Sequence, residues 1–166
     1  MKILAAIYVV LGFTLAIYIY NSNVFQANFM GDRYYKHIFE GHFDASQKGE
    51  RLSIPINFKY NAEYDLRLSI PTDDIRPFYS EKGTLNYKFT SRGKVLEKGV
   101  TRSPSKTGYY SASPDGPLSA VLLRFNLPFP EAGDDLVLVI EAVNPLTALS
   151  KYSGFIICTV EPSLMK

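Results

Sequence analysis

Arg51–Ile70 reads RLSIPINFKYNAEYDLRLSI, and its alternation decides the architecture. Leu52, Ile54, Ile56, Phe58 and Tyr60 alternate with Arg51, Ser53, Pro55, Asn57 and Lys59. The pattern breaks at Asn61-Ala62-Glu63 and restarts as Tyr64, Leu66, Leu68 and Ile70 against Asp65, Arg67 and Ser69. A period of two marks a strand with one buried face. Two strands therefore turn these apolar rows inward. Each large side chain contributes about 1.5–3 kcal/mol when fully buried, before chain entropy offsets most of it. Pro55 cannot donate to a ladder, so the first strand is expected at a sheet edge or at a bulge.

Downstream, Pro71 ends the second strand and opens the loop PTDDIRPFYSEKG, 71–83. Leu85–Thr90 and Val95–Thr101 then read as a hairpin around Ser91-Arg92-Gly93-Lys94, where Gly93 supplies the positive φ of a tight turn. Ser103–Pro117, SPSKTGYYSASPDGP, is expected to be a long loop carrying Tyr109 and Tyr110. Strands return at Ala120–Leu127, Leu136–Val143 and Phe155–Val160. LVLVIEAV is apolar on both faces, which places it in the middle of a sheet. Asn144–Gly154 has room for one helical turn. Short strands separated by turn signals, with no long amphipathic helix, predict an all-β domain: a single antiparallel β-sandwich, immunoglobulin-like or jelly-roll.

Upstream, Tyr34–Phe43 shows strand alternation, with His37 and His42 on opposite faces, and Asn21–Arg33 shows no period and reads as a spacer. Ile3–Tyr20, ILAAIYVVLGFTLAIYIY, carries no charge. As a helix it spans about 27 Å, enough for one nearly upright crossing. Tyr18 and Tyr20 suit the headgroup level. A cleaved signal peptide shares the basic Lys2 and the apolar run, but the best cut, after Ala27, has bulky Phe25 three residues before it. An uncleaved anchor is the preferred reading. The division is then 1–20, an N-terminal transmembrane anchor; 21–33, a spacer; and 34–166, the β-sandwich domain. With Lys2 inside, the chain is single-pass in an inner membrane and its C-terminal domain faces the periplasm. Cys158 alone forms no internal disulfide, which agrees with a small envelope domain that has enough core of its own.

The chain has 18 basic and 16 acidic side chains, formal net charge +2, so no global field draws in nucleic acid. Charge is segregated along it, however. Arg92, Lys94, Lys98, Arg102 and Lys106 are followed by Asp115, Glu131, Asp134, Asp135 and Glu141. Two strands attracting one another, or a docking surface, both accommodate this.

No catalytic constellation is visible. Gly-x-Ser-x-Gly, a phosphate-binding glycine loop and HExxH are all missing, and Cys158 lies inside the strand pattern FIICTV as a small hydrophobe. Asp73 and Asp74 would need further loops to reach the roughly six to eight oxygens calcium takes, and adjacent Asp residues are common in surface turns. No metal or cofactor is therefore assigned, and no enzymatic activity is expected. Tyrosine is abundant, at 12 residues, with no tryptophan. Tyr on loops supplies contact area at low entropy cost. The loops holding Asp73, Asp74, Arg76, Phe78, Tyr79, Tyr109 and Tyr110 are the candidate protein-binding surface.

Leu52-Ser53-Ile54-Pro55-Ile56 leading to Tyr64-Asp65-Leu66-Arg67-Leu68, then Leu123-Arg124-Phe125-Asn126-Leu127-Pro128-Phe129 before LVLVI, resembles small membrane-anchored bacterial envelope β-sandwich domains of unassigned function. Some of these are similar to immunity proteins, which neutralise toxins delivered by neighbouring bacteria. The resemblance implies a module that binds a protein partner; the missing constellations make it non-catalytic, and the apolar run has it meet the bilayer through residues 3–20. An accessory subunit of an envelope assembly or secretion complex, and a small-ligand or lipid binder, are the other readings.

Overall fold

The computed structural model describes residues 2–72, 74, 76–79, 83–102, 109–111 and 117–163. Among them are nine strands: β1 (Phe39–His42), β2 (Arg51–Pro55), β3 (Glu63–Ile70), β4 (Thr84–Ser91), β5 (Lys94–Arg102), β6 (Tyr109–Ser111), β7 (Leu118–Asn126), β8 (Val137–Asn144) and β9 (Ile157–Pro162). They form two antiparallel sheets, one ordered β1-β9-β3-β7-β6 and the other β2-β8-β4-β5. Inward-facing Leu66, Leu68 and Ile70 of β3, Cys158 and Val160 of β9, Leu85 and Phe89 of β4, and Leu138 and Ile140 of β8 make one core. This is the sandwich-like two-layer arrangement that the alternation predicts.

β2 is an edge strand, as its proline requires, and β8 sits between β2 and β4, as its two apolar faces require. The β2 pattern runs on past the strand itself, however. β2 ends at Pro55, opposite Val137, because β8 starts there and no partner remains for Asn57–Lys59. Phe58, expected inside, is consequently 37% exposed. The Tyr64 hydroxyl donates to the Tyr60 carbonyl at 3.1 Å and closes the turn between the two segments.

The β4–β5 hairpin turns through Arg92 (φ 51°) and Gly93 (φ 72°), two left-handed residues matched to strand twist. Asp135 holds this turn, accepting from Ser91 Oγ at 2.5 Å and from the Arg92 amide at 2.7 Å. Part of the acidic segment thus meets the basic one here. A Cβ on Gly93 would meet nothing within 4 Å, so Gly93→Ala tests backbone strain alone. It should lower stability by about 1 kcal/mol in urea unfolding without changing the slope.

Two further expectations are corrected. β6, carrying Tyr109 and Tyr110, lies within what reads as a loop and pairs with β7. The 3-10 segment Thr147–Tyr152 fills the predicted helical turn, while Tyr34–Phe43 is a strand only over Phe39–His42.

Met1–Lys36 clusters apart from His37–Ser163. Within it, α1 (Lys2–Asn21) is followed by α2 (Asn23–Phe29) and α3 (Gly31–Tyr34), so the segment read as a spacer is helical. Ser22 caps α2 by accepting from the Phe25 amide at 3.2 Å, a start signal that a seven-residue helix is too short to reinforce by periodicity. The large apolar side chains of α1 from Ile7 to Tyr20 are exposed all round the helix. Among the described residues no single helix is long and apolar enough to cross a membrane. Ile7–Tyr20 and Asn23–Phe29 pass that test together, as a pair bent by 64°.

Candidate functional site

The polar residues of β3 were expected to face water, but Asp65 is fully buried and Arg67 is 6% exposed. Their neighbours explain how. The β3–β9 register sets Asp65 beside Glu161 and Arg67 beside Thr159, and the β3–β7 register sets Asp65 beside Arg124. Asp65 accepts from Arg124 Nε at 2.7 Å, from Arg67 Nη2 at 3.0 Å and from Ser163 Oγ at 2.6 Å. Arg67 also pairs with Glu161. Burial alone would raise the Asp65 pKa, but the hydrogen bonds from Arg124, Ser163 and Arg67 outweigh it and hold the carboxyl below the usual range.

His37 extends this network. It precedes β1, and the Ile38 amide bonds the Val160 carbonyl, which brings the ring beside β9. Its Nε2 meets Glu161 at 2.6 Å and its Nδ1 meets Glu40 at 3.1 Å. The Glu161 hydrogen bond raises the His37 pKa above 6.5, against burial, with Glu40 adding to the rise. The folded state therefore holds the proton more tightly than the unfolded chain does. This contribution to stability is complete below pH 6.5 and is lost as pH rises through the folded value. Unfolding followed between pH 6 and pH 8 should show stability falling in the parent chain, and the same interval should be flatter in His37→Gln.

A surface groove of about 380 Å³ adjoins the network. His37, Glu40, His42, Ser69 and Thr159 supply its polar lining; Ile70, Pro71, Pro117, Ile157 and Phe155 supply the apolar part. Phe155 is 67% exposed. His42, Ile157, Ser69, Ser119 and Tyr110 occupy one register row across all five strands, about 19 Å from end to end. The expectation that His37 and His42 face opposite ways fails because the strand begins only at Phe39, so alternation does not relate the two. Both line the groove.

Pro71 opens the loop that holds most of the sequence-predicted contact residues, and Pro117 closes the one that follows Tyr110. The Leu118 amide bonds the Thr72 carbonyl at 3.1 Å and ties the two loop ends together. Asp74 lies in the first loop, accepting from Arg76 Nε at 2.8 Å, and Arg76 is exposed. Phe78 is removed from the candidate surface. It is fully buried in the core, its ring drawn inward by the single helical turn α4 (Arg76–Tyr79). Tyr79 ends that turn, Tyr109 and Tyr110 lie on β6 at the edge of the sheet, and Asp73 lies outside the described residues.

Sequence reasoning missed Glu161, Phe155 and the Asp65–Arg67 pair. Asp and Arg spaced two apart on a central strand were the available signal, since that spacing puts both on one face. Burial pushes the Cys158 thiol pKa upward, which suits a small hydrophobe. Among the described residues no three His, Cys, Asp or Glu side chains are grouped to hold a metal ion.

No family model matches the chain, and no curated protein matches it. A crystal structure of a protein from Sulfurospirillum deleyianum is similar to it, with TM-score 0.50 and 10% identity, covering 76% of this chain and 98% of that one. At that identity the likeness bears on the fold alone.

Proposed function

We propose that the chain is a non-catalytic, membrane-anchored module that binds another protein on the periplasmic side of an inner membrane, in the manner of an immunity protein that neutralises a toxin from neighbouring bacteria. The observation that carries this reading is the groove on the five-stranded sheet. Exposed Phe155 stands beside Pro71, Pro117 and Ile157, with His37, Glu40 and His42 along the same groove. An aromatic anchor beside apolar contacts and a polar border is how a protein-binding surface is built.

The anchor draws on the apolar surface of α1, which together with α2 has the length and hydropathy of a span, as a bent pair. A helix apolar all round is stable only where apolar surroundings cover it, and the hydrocarbon of a bilayer provides such surroundings. Tethering concentrates the module where a toxin would arrive. The full chain in detergent micelles, immobilised and exposed to envelope and secreted fractions, should retain a defined protein, and Phe155→Asp should release it. Retention of nothing, or retention indifferent to Phe155→Asp, contradicts the proposal.

A second reading, an accessory subunit of an envelope complex, draws on Gly12 and Ala16, spaced four apart on α1. A Cβ at Gly12 would meet nothing within 4 Å, leaving room for a second helix to approach. Exchange of residues 1–20 for an unrelated span separates the two: an immunity protein continues to protect, whereas a complex subunit loses its place.

A further inference from the structure

The opposite side of the sandwich carries a second surface that the proposed groove does not use. The outer face of the four-stranded sheet holds a groove of about 450 Å³ lined by Arg51, Asn86, Lys88, Lys98, Val100, Val139 and Glu141, with Tyr87 and Gly99 at its border. These residues come from all four strands. Register places Arg51 opposite Glu141, Glu141 beside Asn86, and Asn86 opposite Val100. In the next row Val139 stands beside Lys88, and Lys88 directly opposite Lys98.

Two lysines paired across an antiparallel ladder have Cβ atoms about 4.5–5.5 Å apart, and like charges so placed cost stability. Among the described residues neither Lys88, Lys98 nor Arg51 has a carboxylate within ion-pair distance. Glu97, the acid nearest in sequence to Lys98, instead accepts from the Tyr87 hydroxyl at 3.0 Å. Asp135, from the acidic segment, is committed to the β4–β5 turn. Val100, in the same groove, is 59% exposed.

We infer that this face docks an extended acidic segment of a partner protein, its carboxylates between Lys88 and Lys98 and at Arg51, and its apolar side chains against Val100 and Val139. Glu141 among the cations disfavours a continuous polyanion such as nucleic acid or a phosphate array. A purely apolar occupant would leave the lysine pair unrelieved. A segment in which every second residue is by turns acidic and apolar brings both kinds to the one face of an extended chain that meets the sheet, and charge complementarity supplies its orientation.

The test uses the full chain in micelles of a neutral detergent and three probes: a peptide of about eight residues, Glu-Ser-Val-Ser repeated, roughly 25 Å long when extended, which sets Glu and Val on one face; the same peptide with Lys in place of Glu; and neutral micelles doped with an anionic lipid. The inference expects the Glu peptide to bind, the Lys peptide not to, and affinity to fall as salt rises from about 50 to 300 mM. Lys88→Glu and Lys98→Glu should each weaken the Glu peptide by about tenfold or more. Each also replaces a like pair by an opposite one, so the thermal midpoint should hold or rise, which separates lost docking from lost folding. Equal binding of the two peptides, unchanged affinity in both variants, or a response to anionic lipid without one to the Glu peptide overturns the inference.

Discussion

Asp65→Ala should unfold at a much lower urea concentration than the parent, with a loss of about 3–5 kcal/mol. The reason is what remains after truncation. Arg67 is 6% exposed, so deleting Asp65 strips a hydrogen-bonded carboxylate from a buried guanidinium, and it takes from Arg124, whose side chain is 40% exposed, the carboxylate it donates to at 2.7 Å. Glu161 is left to balance Arg67, and Ser163 loses its acceptor. Removing one partner from a buried ionic network costs more than the network itself contributes. Asp65→Asn keeps the shape and should lose less, since the amide oxygen still accepts. Acid gives the same result by another route. The Asp65 pKa is lowered in the folded state, so its contribution is present above the ordinary value of 3.8 and is lost as pH falls through the folded value.

Phe89→Ala should lose about 3–5 kcal/mol as well, for a reason unrelated to charge. Phe89 is fully buried on β4, and its ring stacks on Phe129 at 4.4 Å and meets Phe125 at 5.0 Å. Phe125 belongs to β7 in the other sheet, so this one ring joins the two layers. Truncation opens a cavity that strand backbones, fixed by their ladders, cannot close. Equilibrium urea unfolding checks both variants. A loss under 1 kcal/mol in Phe89→Ala would mean that the sheets do not meet there.

Much of this architecture was legible in the sequence wherever one face is wet and the other dry. The Tyr64–Ile70 alternation, the turn at Gly93 and the doubly apolar β8 each report a local environment that a single strand determines. Legibility ended where distant elements set the environment. Asp65 and Arg67 read as a solvent face because nothing in β3 announces that Arg124, Glu161 and Ser163 will converge on them. Phe58 read as core because alternation says nothing about where the partner strand β8 begins. α2 and α3 are too short to show a helical period, and β6 has only three residues. Of the candidate surface, Asp74 and Arg76 kept their place on the outside of the loop that Pro71 opens. Phe78 did not, because an apolar ring in a polar loop is as often that loop's plug as its contact.

The most direct test of the tethered-module account is a fusion of alkaline phosphatase to the C-terminus of the full chain, expressed in a bacterium and assayed in carbonate-washed membranes. The phosphatase folds only outside the cytoplasm. The account predicts an active enzyme that stays with the washed membrane; an inactive fusion, or activity recovered in the soluble fraction, contradicts it.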